Sequence, residues 1–150
     1  MRISQKGINI IKESEGLRLE AYLCTSKVPT IGFGNTFYLD KTPVKLGDKL
    51  KDIKQAEELL KNTLQSFEST INGLFYNITL NQNQFDALVS FVYNIGPSAF
   101  AASTLLKKAK VNPNDPAIKL EFNKWINSGG KKSKGLIKRR KLESDLYFMQ

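Results

Sequence analysis

Apolar and polar residues follow different periods on the two sides of Gly16. Ile8 and Ile11 lie three positions apart, as on one face of a short helix, and Ser4 can cap its beginning. Gly16 suits the end of this helix, because glycine readily adopts the left-handed conformation of a helix C-cap. Glu15 is therefore expected at the helix end, where the chain turns.

The next segment alternates strictly. Residues 18–23 place apolar and polar side chains on opposite sides, which predicts a half-buried strand. A polar turn at 25–27 leads to a second strand over 28–33, in which Pro29 favours an edge position. Glycines on both sides of Phe33 indicate a bend or a close approach of the backbone. These segments predict a small hairpin.

A spacing of three and four residues begins after residue 50. Asp52 can cap a long amphipathic helix over about 52–72, the longest element predicted. The next helix opens at Asn81, where Asn81 and Gln84 form the two halves of a capping box. Its apolar residues surround most of the circumference, which is typical of a central, buried helix. The Gly-Pro pair at 96–97 ends it.

Three more helices are predicted towards the C-terminus. A shorter one follows over about 98–109. Asp115 and Pro116 occupy the favoured N-cap and N1 positions of another, which the glycines at 129–130 end. A lysine-rich loop then leads to a last helix over about 136–148.

The order of these elements predicts an α+β fold in a single domain over 1–150. A small β lobe over about 15–50 is joined by the long helix of about 52–72 to a helical lobe over about 80–150. Two lobes joined by a helix are expected to leave a cleft, which can hold an extended substrate.

Composition excludes several kinds of chemistry. The chain has 150 residues, one cysteine and no histidine. An intrachain disulfide cannot form, and catalysis by Ser-His-Asp or Cys-His groups is excluded. The formal net charge of +9 indicates an anionic polymer as partner, either nucleic acid, membrane or cell wall, or else a solubilising surface.

The sequence predicts neither a signal peptide nor a membrane-spanning segment. The N-terminal segment lacks the apolar stretch of a signal peptide, and no segment has the roughly 18 apolar residues needed to span a membrane. The protein is expected in the cytoplasm. If its target lies outside the membrane, another component must release it.

Two segments near the N-terminus contain the candidate catalytic residues. Glu15 starts E-G-L-R-L-E-A-Y, Cys24 follows, and T-I-G-F-G-N-T begins at Thr30. A carboxyl group at a helix end beside a hairpin can be partly withdrawn from water, which favours the protonated form that donates to a glycosidic oxygen. Taken alone, Glu15 is better explained as a surface residue that forms an ion pair with Arg18.

This pattern resembles the bacteriophage lysozymes of glycoside hydrolase family 24, whose active site has a glutamate, an aspartate or cysteine nine positions on, and a threonine six further. Glu15, Cys24 and Thr30 have that spacing. The resemblance extends over nearly the whole chain. Its other parts are the segments 82–88, 91–96, 100–106 and 122–125, followed by Gly135, Leu136, Arg139, Arg140 and Glu143.

The resemblance implies a lysozyme-like fold and an endolysin, a muramidase that hydrolyses the β-1,4 bond between N-acetylmuramic acid and N-acetylglucosamine in peptidoglycan. It implies no metal and no cofactor. It also implies a monomer that is held in the host cytoplasm and needs a holin-type pore to reach the cell wall. Glu15, Cys24 and Thr30 are the implied catalytic residues, and Thr36, Tyr93 and Ser103 would bind substrate. Arg139 or Arg140 would pair with Glu15.

Two positions depart from the common family pattern. Most relatives carry aspartate where this chain has Cys24, and histidine where it has Asn35. A thiol is a poorer base than a carboxylate unless it ionises, so Cys24 can act as a base, accept a hydrogen bond from the attacking water, or be passive packing. The threonine hydroxyl of Thr30 can orient water without titrating.

Other functions fit parts of the sequence. A lytic transglycosylase also uses a single glutamate, but it needs no water-holding pair. A catalytically inactive domain that binds cell wall or nucleic acid would use the basic C-terminal segment. That segment lacks interleaved aromatic residues and any recognised nucleic-acid motif, so nucleic acid is not expected as a partner.

Overall fold

The computed structural model describes all residues from 1 to 150 and contains seven helices and four short strands. This confirms the predicted α+β class. No helix is both long enough and apolar enough to cross a membrane. The elements are α1 (Gln5–Glu15), β1 (Arg18–Leu23), β2 (Pro29–Gly32), α2 (Ile53–Leu74), α3 (Gln82–Ile95), α4 (Pro97–Ala101), α5 (Thr104–Val111), α6 (Ile118–Asn123), β3 (Asn127–Ser128), β4 (Lys131–Lys132) and α7 (Lys134–Tyr147).

The chain divides into two compact units. We call residues 11–66 the β unit, and residues 1–10 with 67–150 the helical unit. Helices α1 and α2 contribute residues to both. The β lobe expected over 15–50 is therefore part of a larger unit, which also contains the first two thirds of the long helix.

The sheet of the β unit is a two-stranded antiparallel ribbon of β1 and β2. The expectation that β1 is half-buried is wrong, because none of its residues is buried and Leu23 is 51% exposed. The other edge of β1 is bonded to residues 48–50, through the Ala21 N–H to the Asp48 carbonyl and the Leu50 N–H to the Leu19 carbonyl. Burial falls instead on β2, where Thr30, Ile31 and Gly32 are all buried.

Helix α3 is the buried centre of the helical unit, as predicted. Every residue from Gln84 to Val92 is buried. The capping box is present: the Asn81 side chain accepts from the Gln84 N–H, and the Gln84 side chain accepts from the Asn81 N–H. Helix α7 packs along α3. Phe91 of α3 makes edge-to-face contacts with Phe100, Phe122 and Trp125.

The single helix predicted over 98–109 is wrong, since the structure has two helices there, α4 and α5. Ser103 separates them. Its hydroxyl donates to the Phe100 carbonyl oxygen at 2.7 Å and accepts from the Leu106 N–H at 3.1 Å. A serine N-cap starts a new helix because it supplies a partner to an otherwise unpaired backbone N–H.

The helix predicted from Asp115 begins later, as α6. Asp115 holds the preceding turn instead, with its carboxylate accepting from the Ala117 N–H and its carbonyl from the Ile118 N–H. After α6, the glycines at 129–130 both have positive φ, 57° and 78°, and form the turn of a hairpin between β3 and β4. A lysine-rich loop was predicted there. Paired positive φ values are typical of a type I′ hairpin turn, which glycine tolerates.

Candidate active site

Glu15 is the last residue of α1, as predicted, and Gly16 turns the chain with φ of +71°. The side chain of Glu15 is partly exposed and lies against the backbone of Gly34. A β-carbon at position 34 would lie 2.7 Å from Oε2 of Glu15 and 2.9 Å from its Cδ. Any other residue at 34 must therefore displace the carboxyl group.

A tight turn delivers Gly34 to this position. Ile31 and Asn35 exchange backbone hydrogen bonds of 2.8 and 2.9 Å, and Gly34 between them has φ of +83°. Asn35 is buried and donates through Nδ2 to Thr63 Oγ1 at 2.8 Å, which connects the turn to α2. Asn35, where histidine is usual in the family, thus holds the turn against the long helix.

Replacing Gly34 with alanine is expected to lower kcat by about tenfold. Displacing a reacting group by about 1 Å can lower the rate by about 100-fold, and the Glu15 carboxyl group needs to move by less than that to make room for the methyl group. A left-handed alanine also destabilises the fold, by about 1–3 kcal/mol. Steady-state kinetics and thermal unfolding measure the two effects separately.

Gly47→Ala is the matched control for this prediction. Gly47 has φ of +97° and nothing within 4 Å of its would-be β-carbon. It should therefore lose similar stability and keep the wild-type kcat. Equal losses of kcat in the two variants would assign the effect to backbone strain and not to the Glu15 contact.

Cys24 follows β1 and begins the turn that leads to β2. Its N–H donates to the Val28 carbonyl at 3.1 Å, and its carbonyl accepts from the Lys27 N–H at 2.8 Å. The backbone N–H of Val28 also stabilises the thiolate, which lowers the pKa of Cys24 below its ordinary value. Burial opposes this, and the backbone of Ser26 with the hydroxyls of Thr30 and Ser26 adds to it. The turn therefore favours a thiolate at Cys24.

Thr30 lies close to Cys24. It pairs with Tyr22 across the ribbon, and its hydroxyl donates to the Val28 carbonyl at 2.9 Å. The hydroxyl has a single proton, so it donates either to the Val28 carbonyl or to the sulfur of Cys24, where it lowers the pKa of the thiol. Thr30 is 3% exposed, so its hydroxyl is fixed by packing. The structure thus brings together two of the three predicted catalytic residues, Cys24 and Thr30.

Tyr22 lies near the candidate site and was not singled out in the sequence analysis. Burial raises its pKa, and the negative charges of Glu15 and Cys24 raise it further, whereas Arg18 lowers it. The Arg18 guanidinium lies over the ring at 4.4 Å. Both proposed catalytic groups therefore act electrostatically on one phenol, which stays protonated. Tyr22 and Arg18 lie inside the quoted motif, and that membership was the available signal.

Lys12 fixes the end of α1 within the β unit. Its ammonium group pairs with Glu57 of α2 and lies 5.3 Å from the centre of the Phe33 ring. The hydrogen bond and charge of Lys12 lower the pKa of Glu57. Lys12 is one helical turn before Glu15, so this contact restrains the helix end that carries the carboxyl group.

The three predicted substrate residues have different environments. Thr36 belongs to the β unit and is half-buried, and its carbonyl accepts from the Val44 N–H. Tyr93 belongs to the helical unit, where its half-buried ring contacts Phe67 at 5.2 Å. Ser103 is buried as the α5 cap. Their substrate contacts remain predictions.

Arg139 and Arg140 surround one buried carboxylate of the helical unit. Arg139 Nε lies 3.0 Å from Glu143 Oε1, and Arg140 Nε lies 2.9 Å from Glu143 Oε2. Ser90 donates to the same carboxylate, and Asn94 accepts from Arg140. The guanidinium groups are thus placed by Glu143. The pairing of either arginine with Glu15 remains a prediction.

No group of three or more histidine, cysteine, aspartate or glutamate residues is arranged so that it could hold a metal ion. The candidate site contains a carboxyl group at a helix end, a thiol with a lowered pKa, and a hydrogen-bonded hydroxyl. This set can donate a proton and hold a water molecule.

Known proteins match the chain over nearly its full length. The endolysin of Bacillus phage PZA is 43% identical over 150 residues, which are 98% of this chain but 55% of that protein. The endolysin of Salmonella phage P22 is 41% identical over 148 residues, 99% of both. This chain therefore spans about half the length of the Bacillus phage protein and nearly all of the Salmonella phage protein.

The fold is also similar to those of solved phage endolysins. The solved endolysin of Escherichia coli O157:H7 phage FAHEc1 matches with a TM-score of 0.87 and 39% identity, over 99% of this chain and 94% of that one. The predicted lysozyme-like fold is thereby confirmed. The family described as Phage lysozyme matches residues 12–143, a range that contains Glu15, Cys24 and Thr30. The chain belongs to the phage lysozyme family.

Proposed function

We propose that the protein is a phage-type endolysin, a muramidase that hydrolyses the β-1,4 bond between N-acetylmuramic acid and N-acetylglucosamine in peptidoglycan and so lyses the cell. The observation that carries this proposal is the placement of Glu15 against Gly34, in a chain whose family match includes the whole motif. A carboxyl group held in this way is a suitable general acid for a glycosidic oxygen.

The proposed reaction uses the three motif residues in two roles. Glu15 gives its proton to the bridging oxygen as the bond from that oxygen to the anomeric carbon breaks. Cys24 and Thr30 hold a water molecule, whose oxygen bonds to the anomeric carbon from the opposite face. A thiolate at Cys24 can accept the water's proton and stabilise the positive charge of the transition state. The configuration of the anomeric carbon is inverted.

Substrate contacts are proposed for Thr36 and Tyr93. The ring of Tyr93 keeps one edge on Phe67 and is half-exposed, so a sugar face can stack on it. Ser103 is better suited to support the site through the start of α5, because both its hydrogen bonds are used there.

The competing function is that of a lytic transglycosylase. Such an enzyme closes an anhydro ring on the muramic acid without water. The Cys24–Thr30 pair favours hydrolysis, since a non-hydrolytic reaction has no use for groups that hold water. A catalytically inactive wall-binding or nucleic-acid-binding domain is the other alternative, and it would yield no product at all.

Digestion of purified peptidoglycan in water enriched in ¹⁸O is expected to give muropeptides with a reducing N-acetylmuramic acid that carries the label. Mass spectrometry separates this product from the anhydro form, which is lighter by one water molecule. NMR of the first-formed product should show the inverted anomer. Unlabelled anhydro-muropeptides would instead establish a lytic transglycosylase.

We further propose that the protein is a monomer that stays in the host cytoplasm until a holin-type pore admits it to the wall. The support is the resemblance to endolysins over 98% or more of this chain, together with the lack of a membrane-spanning helix.

A further inference from the structure

The turn that carries Gly34 is anchored to α2 by two consecutive side-chain hydrogen bonds within the β unit. Asn35 donates through Nδ2 to Thr63 Oγ1, and the Thr63 hydroxyl donates in turn to the Leu59 carbonyl, both at 2.8 Å. Asn35 also exchanges two backbone hydrogen bonds with Ile31. Because Gly34 directly precedes Asn35 in the chain, the place of the amide on α2 sets the place of the Gly34 backbone.

The orientation of the Asn35 amide is determined by the hydroxyl that it meets. The single proton of the Thr63 hydroxyl is used on the Leu59 carbonyl, so its oxygen can only accept from Asn35. Turning the amide over would place two acceptor oxygens against each other. Asn35 is therefore a donor at this point, and a side chain that only accepts could not replace it.

This orientation leaves the other end of the amide without a partner. Asn35 is 2% exposed, and its Oδ1 atom is buried and accepts no hydrogen bond. The oxygen lies beside Gly32, where Leu50 and Ala56 supply apolar neighbours. A buried acceptor without a donor destabilises the folded state. The amide is thus poorly explained as a stabilising contact, and its geometry is better explained by the placement of the turn.

We propose that Asn35 is a positioning residue, which through its bond to Thr63 holds the Gly34 backbone against the Glu15 carboxyl group. This inference rests on the proposed function, because it assumes that Glu15 is the general acid. The fit between Gly34 and Glu15 has no space even for a β-carbon. A small movement of the turn therefore changes the place that the carboxyl group occupies.

The other side of this contact is held by the same helix. Lys12, which lies one helical turn before Glu15 on α1, pairs with Glu57 of α2. Glu57 and Thr63 both belong to α2. One helix therefore restrains both the end of α1 and the turn that meets it, and the bond from Asn35 to Thr63 is its restraint on the turn.

The test replaces both partners of this bond with apolar side chains of similar shape. Asn35→Leu/Thr63→Val removes the hydrogen bond and the unpartnered oxygen together. Thr63→Ser keeps the hydroxyl and is the conservative variant. Tyr38→Phe is the matched control, because it removes a side-chain hydrogen bond of 2.7 Å, to Asp48, from the same unit outside the motif. Steady-state kinetics on soluble peptidoglycan fragments and thermal unfolding are measured for each protein.

The double variant is expected to lose about tenfold in kcat, because a shift of a reacting group by less than about 1 Å has an effect of this size. Its KM should change by less than about threefold, since the general acid acts in the transition state. Its unfolding midpoint should equal or exceed that of the wild type, because apolar groups of the same shape can replace a bonded pair without loss. Thr63→Ser should recover most of the kcat, and Tyr38→Phe should keep the wild-type kcat.

A measurement without substrate tests the contact itself. The backbone amide signal of Gly34 in ¹H–¹⁵N spectra should shift when Glu15 is replaced by glutamine. This shift should be clearly smaller in the Asn35→Leu/Thr63→Val background, because the turn is no longer held against that side chain. If the wild type releases no muropeptides, the proposed function fails, but the spectra still decide whether Asn35 positions the turn.

Four results would overturn the proposal. Wild-type kcat in the double variant, or an undiminished response of the Gly34 signal, would mean that the turn stays in place without the bond. A similar loss of kcat in Tyr38→Phe would assign the effect to a general weakening of the unit. A double variant that does not fold would make the bond a structural requirement, contrary to the argument from the unpartnered oxygen.

Discussion

Replacing Glu15 with glutamine is expected to abolish lysis and leave the fold intact. Glutamine has nearly the same shape, so it can occupy the space beside Gly34, but it has no proton to give to the glycosidic oxygen. Loss of a general acid lowers the rate by about 100-fold to 10,000-fold. Turbidity clearing of outer-membrane-permeabilised Gram-negative cells, with circular dichroism to verify folding, measures the effect.

Stability should respond little to this change. Glutamine has nearly the same shape as glutamate, and position 15 is the last residue of α1, so the change is expected to keep the free energy of unfolding within about 1 kcal/mol of the wild type. Glu13→Gln is the matched control, because it makes the same substitution in the same helical turn but outside the motif. A folded Glu15→Gln protein that clears cells as fast as Glu13→Gln would end the proposed mechanism.

Local chemistry was sufficient to predict the elements that a single residue fixes. Gly16 ends α1 because only its own backbone must adopt positive φ. Asn81 and Gln84 start α3 through two bonds within one turn. Asp52 starts the long helix in the same way, by accepting from the Gln55 N–H at 2.9 Å. Such signals act over three or four residues and are visible in the sequence.

The elements that were missed have two possible local interpretations. Ser103 fits the polar side of one continuous helix as well as it fits a cap, and the apolar residues on both sides keep the same period. The glycines at 129–130 end a helix or turn a hairpin, and strands of two residues are too short to alternate. Tertiary packing decides between these interpretations, and sequence period does not contain it.

The candidate site could be predicted only in part from the sequence, for a related reason. The spacing of Glu15, Cys24 and Thr30 indicates a family, but it gives no contacts. The approach of Gly34 to Glu15 depends on how the turn folds back on α1, and the influence of Glu15 on Tyr22 depends on the path of the chain between α1 and β1. These are distances through space that no linear spacing reveals.

Two substitutions at Cys24 decide between its possible roles in the mechanism. If it accepts a hydrogen bond from the attacking water or supplies negative charge, Cys24→Asp should keep substantial activity, and Cys24→Ala should lose more than about tenfold, as expected for loss of a group that assists proton transfer. If Cys24 is passive packing, alanine is nearly silent. Aspartate would then destabilise the fold by burying an unpaired charge. Kinetics of both variants, with circular dichroism, give opposite orders for the two cases.

The structure favours the outcome in which Cys24→Asp is more active than Cys24→Ala, because the surroundings of Cys24 stabilise a negative charge. The Val28 N–H lowers the pKa of its thiol, and the backbone of Ser26 and the Thr30 hydroxyl act in the same direction. A carboxylate at position 24 would receive the same donors and would not be left unpaired. Alkylation of the thiol should inactivate the wild-type enzyme, since the added group fills the position of the water.

The pH profile separates a charged Cys24 from a neutral hydrogen-bond acceptor. If the thiolate is the active form, wild-type activity falls as the pH drops through the lowered pKa of Cys24, because protonation removes the charge. Cys24→Asp should move that acidic limb down to about pH 4, the ordinary pKa of an aspartate. Cys24→Ser keeps a hydrogen-bond acceptor that does not ionise, so it should have low activity and no such limb. Equal acidic limbs in the wild type, Cys24→Asp and Cys24→Ser would exclude the thiolate and leave the water to be held by Thr30 and a neutral neighbour.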